Sequence, residues 1–119
     1  MAGTATVSSW GRSVKVHQVA WTSDASGDCN AGVVYLDGEL VRIVTVPGAG
    51  GSAPTDNYDI TLLDEDGIDL TAAEMFGDRD TSTTEELVPS GRIVHHGPVT
   101  VTVANAGNAK TGVIKIYQR

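Results

Sequence analysis

Val99, Val101 and Val103 alternate with Thr100 and Thr102. Every position in this run is β-branched, and the apolar residues recur with a period of two. Such side chains are stiff at χ1 and lose freedom in a helix, whereas on a strand they place one apolar face against a core. The same alternation returns in Tyr58, Ile60 and Leu62, and again in Ile114 and Ile116. Between these runs stand clusters of Gly, Asn, Asp and Ser, with 14 glycines in 119 residues. Short strands separated by frequent turns predict an all-β chain, a single-domain antiparallel β-sandwich or barrel. Aromatic residues make up only 5%, so Val, Ile and Leu must fill most of the core.

Along the chain, Thr4 to Ser9 reads as an edge strand or an arm, and residues 1–12 as an N-terminal arm ahead of one β domain over 13–119. Ser13 to Thr22 reads as a strand. Val14 and Val16 share one face but Val19 and Trp21 share the other, which predicts a bulge, or a strand that changes partner, near His17 and Gln18. Asp37-Gly38 predicts a two-residue hairpin turn between Ala31–Leu36 and Glu39–Val46. Leu40 to Val46 is apolar on both faces except at Arg42 and Thr45, as in a central, doubly covered strand. Pro47 to Pro54 reads as a loop, and Asn105 to Asn108 as the turn of a second hairpin joining Val99–Val103 to Val113–Gln118. One short helix is expected at about 71–76. Thr71 and Glu74 match a capping box, Leu70 and Met75 occupy the staple positions, and Gly77 is a natural stop.

Charge is sorted along the chain, which carries a net −7. Asp56 to Glu86 holds eleven acids and one base, Arg79, whereas Leu87 to Arg119 holds no acid and four bases. The acidic balance disfavours a nucleic-acid partner. No apolar run approaches the roughly 20 residues that span a bilayer, and the start of the chain lacks the basic and apolar stretches of a secretory signal. The chain therefore reads as soluble, with no membrane partner. The two charged segments either neutralise each other within one domain or meet across copies.

Candidate chemistry is sparse. Cys29 is the single cysteine, so neither an internal disulfide nor a four-cysteine zinc site is open to it. Its pairing with His17, His95 or His96 is arithmetically open, but no family-type motif surrounds it. His95 and His96 are adjacent and should point to opposite faces of a strand. Asp64, Asp66 and Asp69 offer oxygens around a tight turn. Position 12 counted from Asp64 is Met75, not the glutamate of an EF-hand, and a solvated acidic turn is the simpler reading. Gly48, Gly50 and Gly51 are followed by no Lys-Ser/Thr pair, so they do not make a phosphate loop. The residues predict no cofactor and no enzyme.

Four segments carry a resemblance. They are Ala20-Trp-Thr-Ser-Asp-Ala-Ser-Gly27, Leu40-Val-Arg-Ile-Val-Thr45, Pro54-Thr-Asp-Asn-Tyr-Asp-Ile-Thr-Leu-Leu-Asp-Glu-Asp-Gly67 and Val103-Ala-Asn-Ala-Gly-Asn-Ala-Lys-Thr-Gly112. Together they resemble small structural proteins of tailed bacteriophages, most of all capsid decoration (cement) proteins. The resemblance implies a component of the virion exterior, assembled in the host cytoplasm, that binds the major capsid protein, associates as a homotrimer and stabilises the head. A tail or head–tail connector subunit is the alternative, and a carbohydrate-binding β-sandwich a second. On this reading the working residues are assembly residues. Trp10 and Arg12 are candidates for docking, because Trp and Arg are enriched at interface hot spots. Arg92, Lys115 and Arg119 are candidates for meeting the acidic face of a neighbour.

Overall fold

A computed structural model describes residues 3–72 and 79–119. Among these residues seven antiparallel strands follow in order: β1 (Thr4–Gly11), β2 (Lys15–Thr22), β3 (Cys29–Pro47), β4 (Asp59–Leu63), β5 (Glu85–Leu87), β6 (Ile93–Ala104) and β7 (Thr111–Gln118). They pair in the order β1-β2-β7-β3-β6-β4, and β5 adds to β3. The chain is therefore all-β, as its periodicity predicts. The sheet curls until its first strand returns to β3: the Cys29 thiol lies 3.6 Å from the Thr4 carbonyl. A side chain at Gly32 would come within 2.9 Å of Val7 Cγ2.

The alternating residues fill the interior. Tyr58, Ile60, Leu62, Val99, Val101, Val103, Ile114 and Ile116 are all buried. Each contributes roughly 1.5–3 kcal/mol of apolar burial. Trp21 meets Tyr58 with ring centroids 5.7 Å apart and tilted by 45°, within the contact distance of aromatic pairs. Leu40 to Val46 is central as expected, since Ile43, Val44 and Thr45 are buried on successive, opposite faces.

Both expected hairpins are replaced by longer-range pairing. Asp37 and Gly38 do not reverse the chain, because β3 runs through them as one strand of 19 residues. A tight turn of the expected kind needs positive φ at both central residues, and only Gly38 has it, at 142°. Glycine is required there for another reason as well. A Cβ would stand 2.4 Å from the Arg119 carbonyl oxygen, where Glu39 and Arg119 exchange backbone hydrogen bonds of 2.9 Å in both directions. The first part of β3 pairs with β6 and the part from Leu40 onward with β7.

Consequently β6 and β7, adjacent in sequence, lie on opposite sides of β3. Their connection crosses the end of the curled sheet. Its Ala106 N–H donates to the Gly27 carbonyl and its Ala106 carbonyl accepts from Thr55 N–H, each at 2.9 Å.

The bulge expected at His17 and Gln18 is also absent, as β2 keeps unbroken register with both neighbours. Register shifts occur instead on β3, at Asn30/Gly32 and Leu40/Arg42. Val14 precedes β2 and is exposed, while His17, Val19 and Trp21 face inward together. The helix expected at about 71–76 falls mostly outside the described residues. At its start, Asp69 Oδ1 accepts from the N–H and the hydroxyl of Thr71. The one complete helical element among the described residues is a 3-10 turn at Gly50–Ser52.

Candidate functional site

Strand β1, read from sequence as an edge strand or an arm, is the edge strand at one end of the pairing order. It is paired with β2 over its whole length, yet all eight of its residues are exposed. Cross-strand partners share a face, so the register places Trp10, Val16, Tyr117 and Arg42 side by side across β1, β2, β7 and β3 on the outer surface. Trp10 is 50% exposed. The Arg42 guanidinium lies 4.9 Å from the centroid of the Tyr117 ring and pairs with Glu86. Arg12 is exposed in the turn between β1 and β2. Lys115 belongs to the neighbouring row, between Gln18 and Val44. Trp10 and Lys115 thus occupy one side of the molecule. Tyr117 and Arg42 complete that side, and the sequence alone did not single them out.

Arg92 and Arg119 converge elsewhere. Their guanidinium groups lie 3.6 and 3.4 Å from the two carboxylate oxygens of Glu39. Both arginines are largely exposed, so this pairing contributes little to stability. Within the acidic segment Arg79 approaches Glu85 at 3.7 Å, and between the two segments His95 lies close to Glu65.

His95 and His96 point to opposite faces, as adjacent strand residues must. His96 is exposed, with Nδ1 3.1 Å from Asp37 Oδ1 and Nε2 3.2 Å from the Tyr35 hydroxyl. Tyr35, Val33 and Val94 form a second set of exposed apolar residues on β3 and β6. His95 turns inward toward the loop that follows β4. There Asp64, Glu65 and His95 bring one ligand atom each within 4.8 Å of one another.

The acidic turn is organised differently from a calcium loop. Asp64 Oδ1 accepts from the N–H groups of Asp66 and Ile68, and Asp69 Oδ1 accepts from Leu62 N–H and from Thr71. Asp66 and Asp69 therefore stand apart from the group that contains Asp64. The grouping of Glu65 with His95 was missed in the sequence because they lie 30 residues apart; pairing of β4 with β6 brings them together.

Cys29 is buried, and burial pushes its thiol pKa up, away from the reactive thiolate. It lies beside Thr4, whereas His17 pairs with Ser9, five residues or roughly 16 Å further along β1. Cys29 pairs with Val103 and His95 with Gly38, at distant points of β3. The fold keeps the thiol and these imidazoles apart.

No protein-family model matches the sequence, and no curated protein matches it. Among solved structures, the chain is similar to a cupin domain from Bordetella pertussis Tohama I. That likeness has a TM-score of 0.36 and 18% sequence identity, and covers 99% of this chain and 94% of the other.

Proposed function

We propose that this chain is a structural protein of a tailed-phage virion, of the capsid-decoration type. On this reading it binds the outer surface of the major capsid shell and other copies of itself, and works through protein surfaces without catalysis. The observation that carries the proposal is β1, a fully paired strand of eight residues with none of them buried. A long edge strand that presents Trp10 and Val7 to solvent is a hazard unless a partner covers it. Strand addition at this edge, with Trp10 as the anchor, is the physical form such docking takes. The aromatic row of Trp10, Tyr117 and Arg42 supplies the residue types that dominate interface energetics. The acidic net charge suits a shell exterior better than a surface that faces DNA.

Light scattering at micromolar concentration tests self-association. A trimer is expected for the native chain, and Trp10→Asp should shift it to monomer with an unchanged circular dichroism spectrum. A native chain that remains monomeric counts against the trimer. An averaged electron-microscopy map of the particle tests location and copy number. Decoration requires copies spread over the whole head, whereas a connector subunit requires a single closed ring. Density confined to the tail would overturn the decoration reading.

A further inference from the structure

We propose that Asp64, Glu65 and His95 form a binding site for a divalent transition-metal ion of the zinc type, which ties the loop after β4 to the start of β6. The proposal does not depend on what the protein docks to.

The first observation is an orphaned nitrogen. The His95 side chain is only 12% exposed, and its Nε2 is buried with no hydrogen-bond partner among the described residues. Leaving such an atom unsatisfied is costly, and a native protein normally supplies a partner. The second observation is a distance. Nε2 lies 3.4 Å from Glu65 Oε1, long for a hydrogen bond between an imidazole and a carboxylate. Two donors that each sit about 2.0–2.1 Å from one tetrahedral ion are separated by roughly 3.3 Å. The gap therefore suits two ligands sharing an ion.

The third observation is the space that Gly97 leaves. A Cβ there would stand 2.9 Å from Glu65 Oε2 and 3.5 Å from His95 Nε2, and the backbone has φ at 139°. Gly97 keeps the carboxylate and the imidazole next to each other without touching the ion itself. Asp64 completes the set from a fixed position, since the Asp66 and Ile68 N–H groups hold its Oδ1.

The donor set selects the metal. Calcium takes six to eight oxygen ligands, and magnesium keeps most of its waters. One imidazole with two carboxylates suits a zinc-like ion with a position left open to water. This differs from an all-oxygen set of Asp64, Asp66 and Asp69, for which the sequence offers only a solvated acidic turn.

The test is calorimetric titration of the chelator-treated 119-residue chain with Zn2+, alongside Co2+ absorption in the visible. One equivalent per chain is expected, with a tetrahedral Co2+ spectrum and a raised Tm. His95→Ala and Glu65→Gln should each weaken binding at least about tenfold, and so should Gly97→Ala, which removes no ligand. His96→Ala, on the opposite face, should leave binding unchanged. Glu65 is half exposed, so Glu65→Gln keeps the test interpretable if a variant at His95 or Gly97 fails to fold. The proposal is overturned if the native chain binds no Zn2+. It is equally overturned if binding survives His95→Ala or Glu65→Gln, or if Ca2+ binds as tightly and does not need His95.

Discussion

His17 Nε2 donates a hydrogen bond of 2.6 Å to Gln118 Oε1, across 101 residues of sequence. That bond sets the tautomer, so Nδ1 accepts from the Ser9 hydroxyl at 2.7 Å. Gln118 Nε2 in turn donates to the Asp37 carbonyl at 2.8 Å. A single run of side-chain bonds thus crosses β1, β2, β7 and β3. Removing His17 takes a donor from Gln118, whose side chain is buried. His17→Ala should lower stability by about 2–3 kcal/mol in urea unfolding. The double variant His17→Leu/Gln118→Leu should lose less than the sum of the two single changes, which a double-mutant cycle measures.

Gly38→Ala meets a backbone obstacle. The new Cβ collides with the Arg119 carbonyl and the residue must keep a positive φ. A loss of at least about 2 kcal/mol is expected. Gly91→Ala is the control, because a Cβ there meets nothing within 4 Å. Its midpoint should stay within about 0.5 kcal/mol of the native value.

Tyr58 predicts an alkaline limit. Burial pushes its hydroxyl up to about 12 from an ordinary value near 10. Below pH 10 both folded and unfolded chains hold the proton. Between pH 10 and 12 the unfolded chain releases it and the folded chain does not, so stability falls as pH rises. The contribution at stake is about 3 kcal/mol. Tyr58→Phe removes this dependence, and the difference between the two pH–stability curves over that window isolates it from the exposed tyrosines and the lysines.

Cys29 should be inert in the folded chain. Its thiol is buried and its pKa is raised by desolvation. Reaction with an aromatic disulfide reagent at pH 8 should run at least about a hundredfold slower than in the denatured protein. A rate close to that of the denatured chain would show that the edge beside Thr4 opens freely.

The inward faces of β4, β6 and β7 were legible because period two is a local property. Tyr58, Ile60, Leu62, Val99, Val101, Val103, Ile114 and Ile116 needed only their own neighbours to be read. Strand partners were not legible. A turn sequence such as Asn105 to Asn108 reverses the chain, but it does not say whether the returning strand lies beside the outgoing one or beyond β3. The phase of β2 misled for a chemical reason. His17 counts as polar on any hydropathy scale, yet it faces inward because both ring nitrogens find partners. Of the docking candidates, Trp10 was legible as a surface anchor by residue type. Its alignment with Tyr117 and Arg42 depends on a register set by strands far apart in sequence. The grouping of Glu65 with His95 was hidden for the same reason.

The position of β7 bears on how the chain is made. Although last of the seven strands in chain order, it lies between β2 and β3. A growing chain therefore holds the β1–β2 hairpin and the long β3 with nothing between them until Thr111–Gln118 have been synthesised. Until then two strand edges lie open, and nearly every ladder waits on a distant segment. A premature stop that removes β7 would not yield a slightly smaller version of this protein. It would yield a chain split along its middle, whose exposed edges invite its copies to stack on one another.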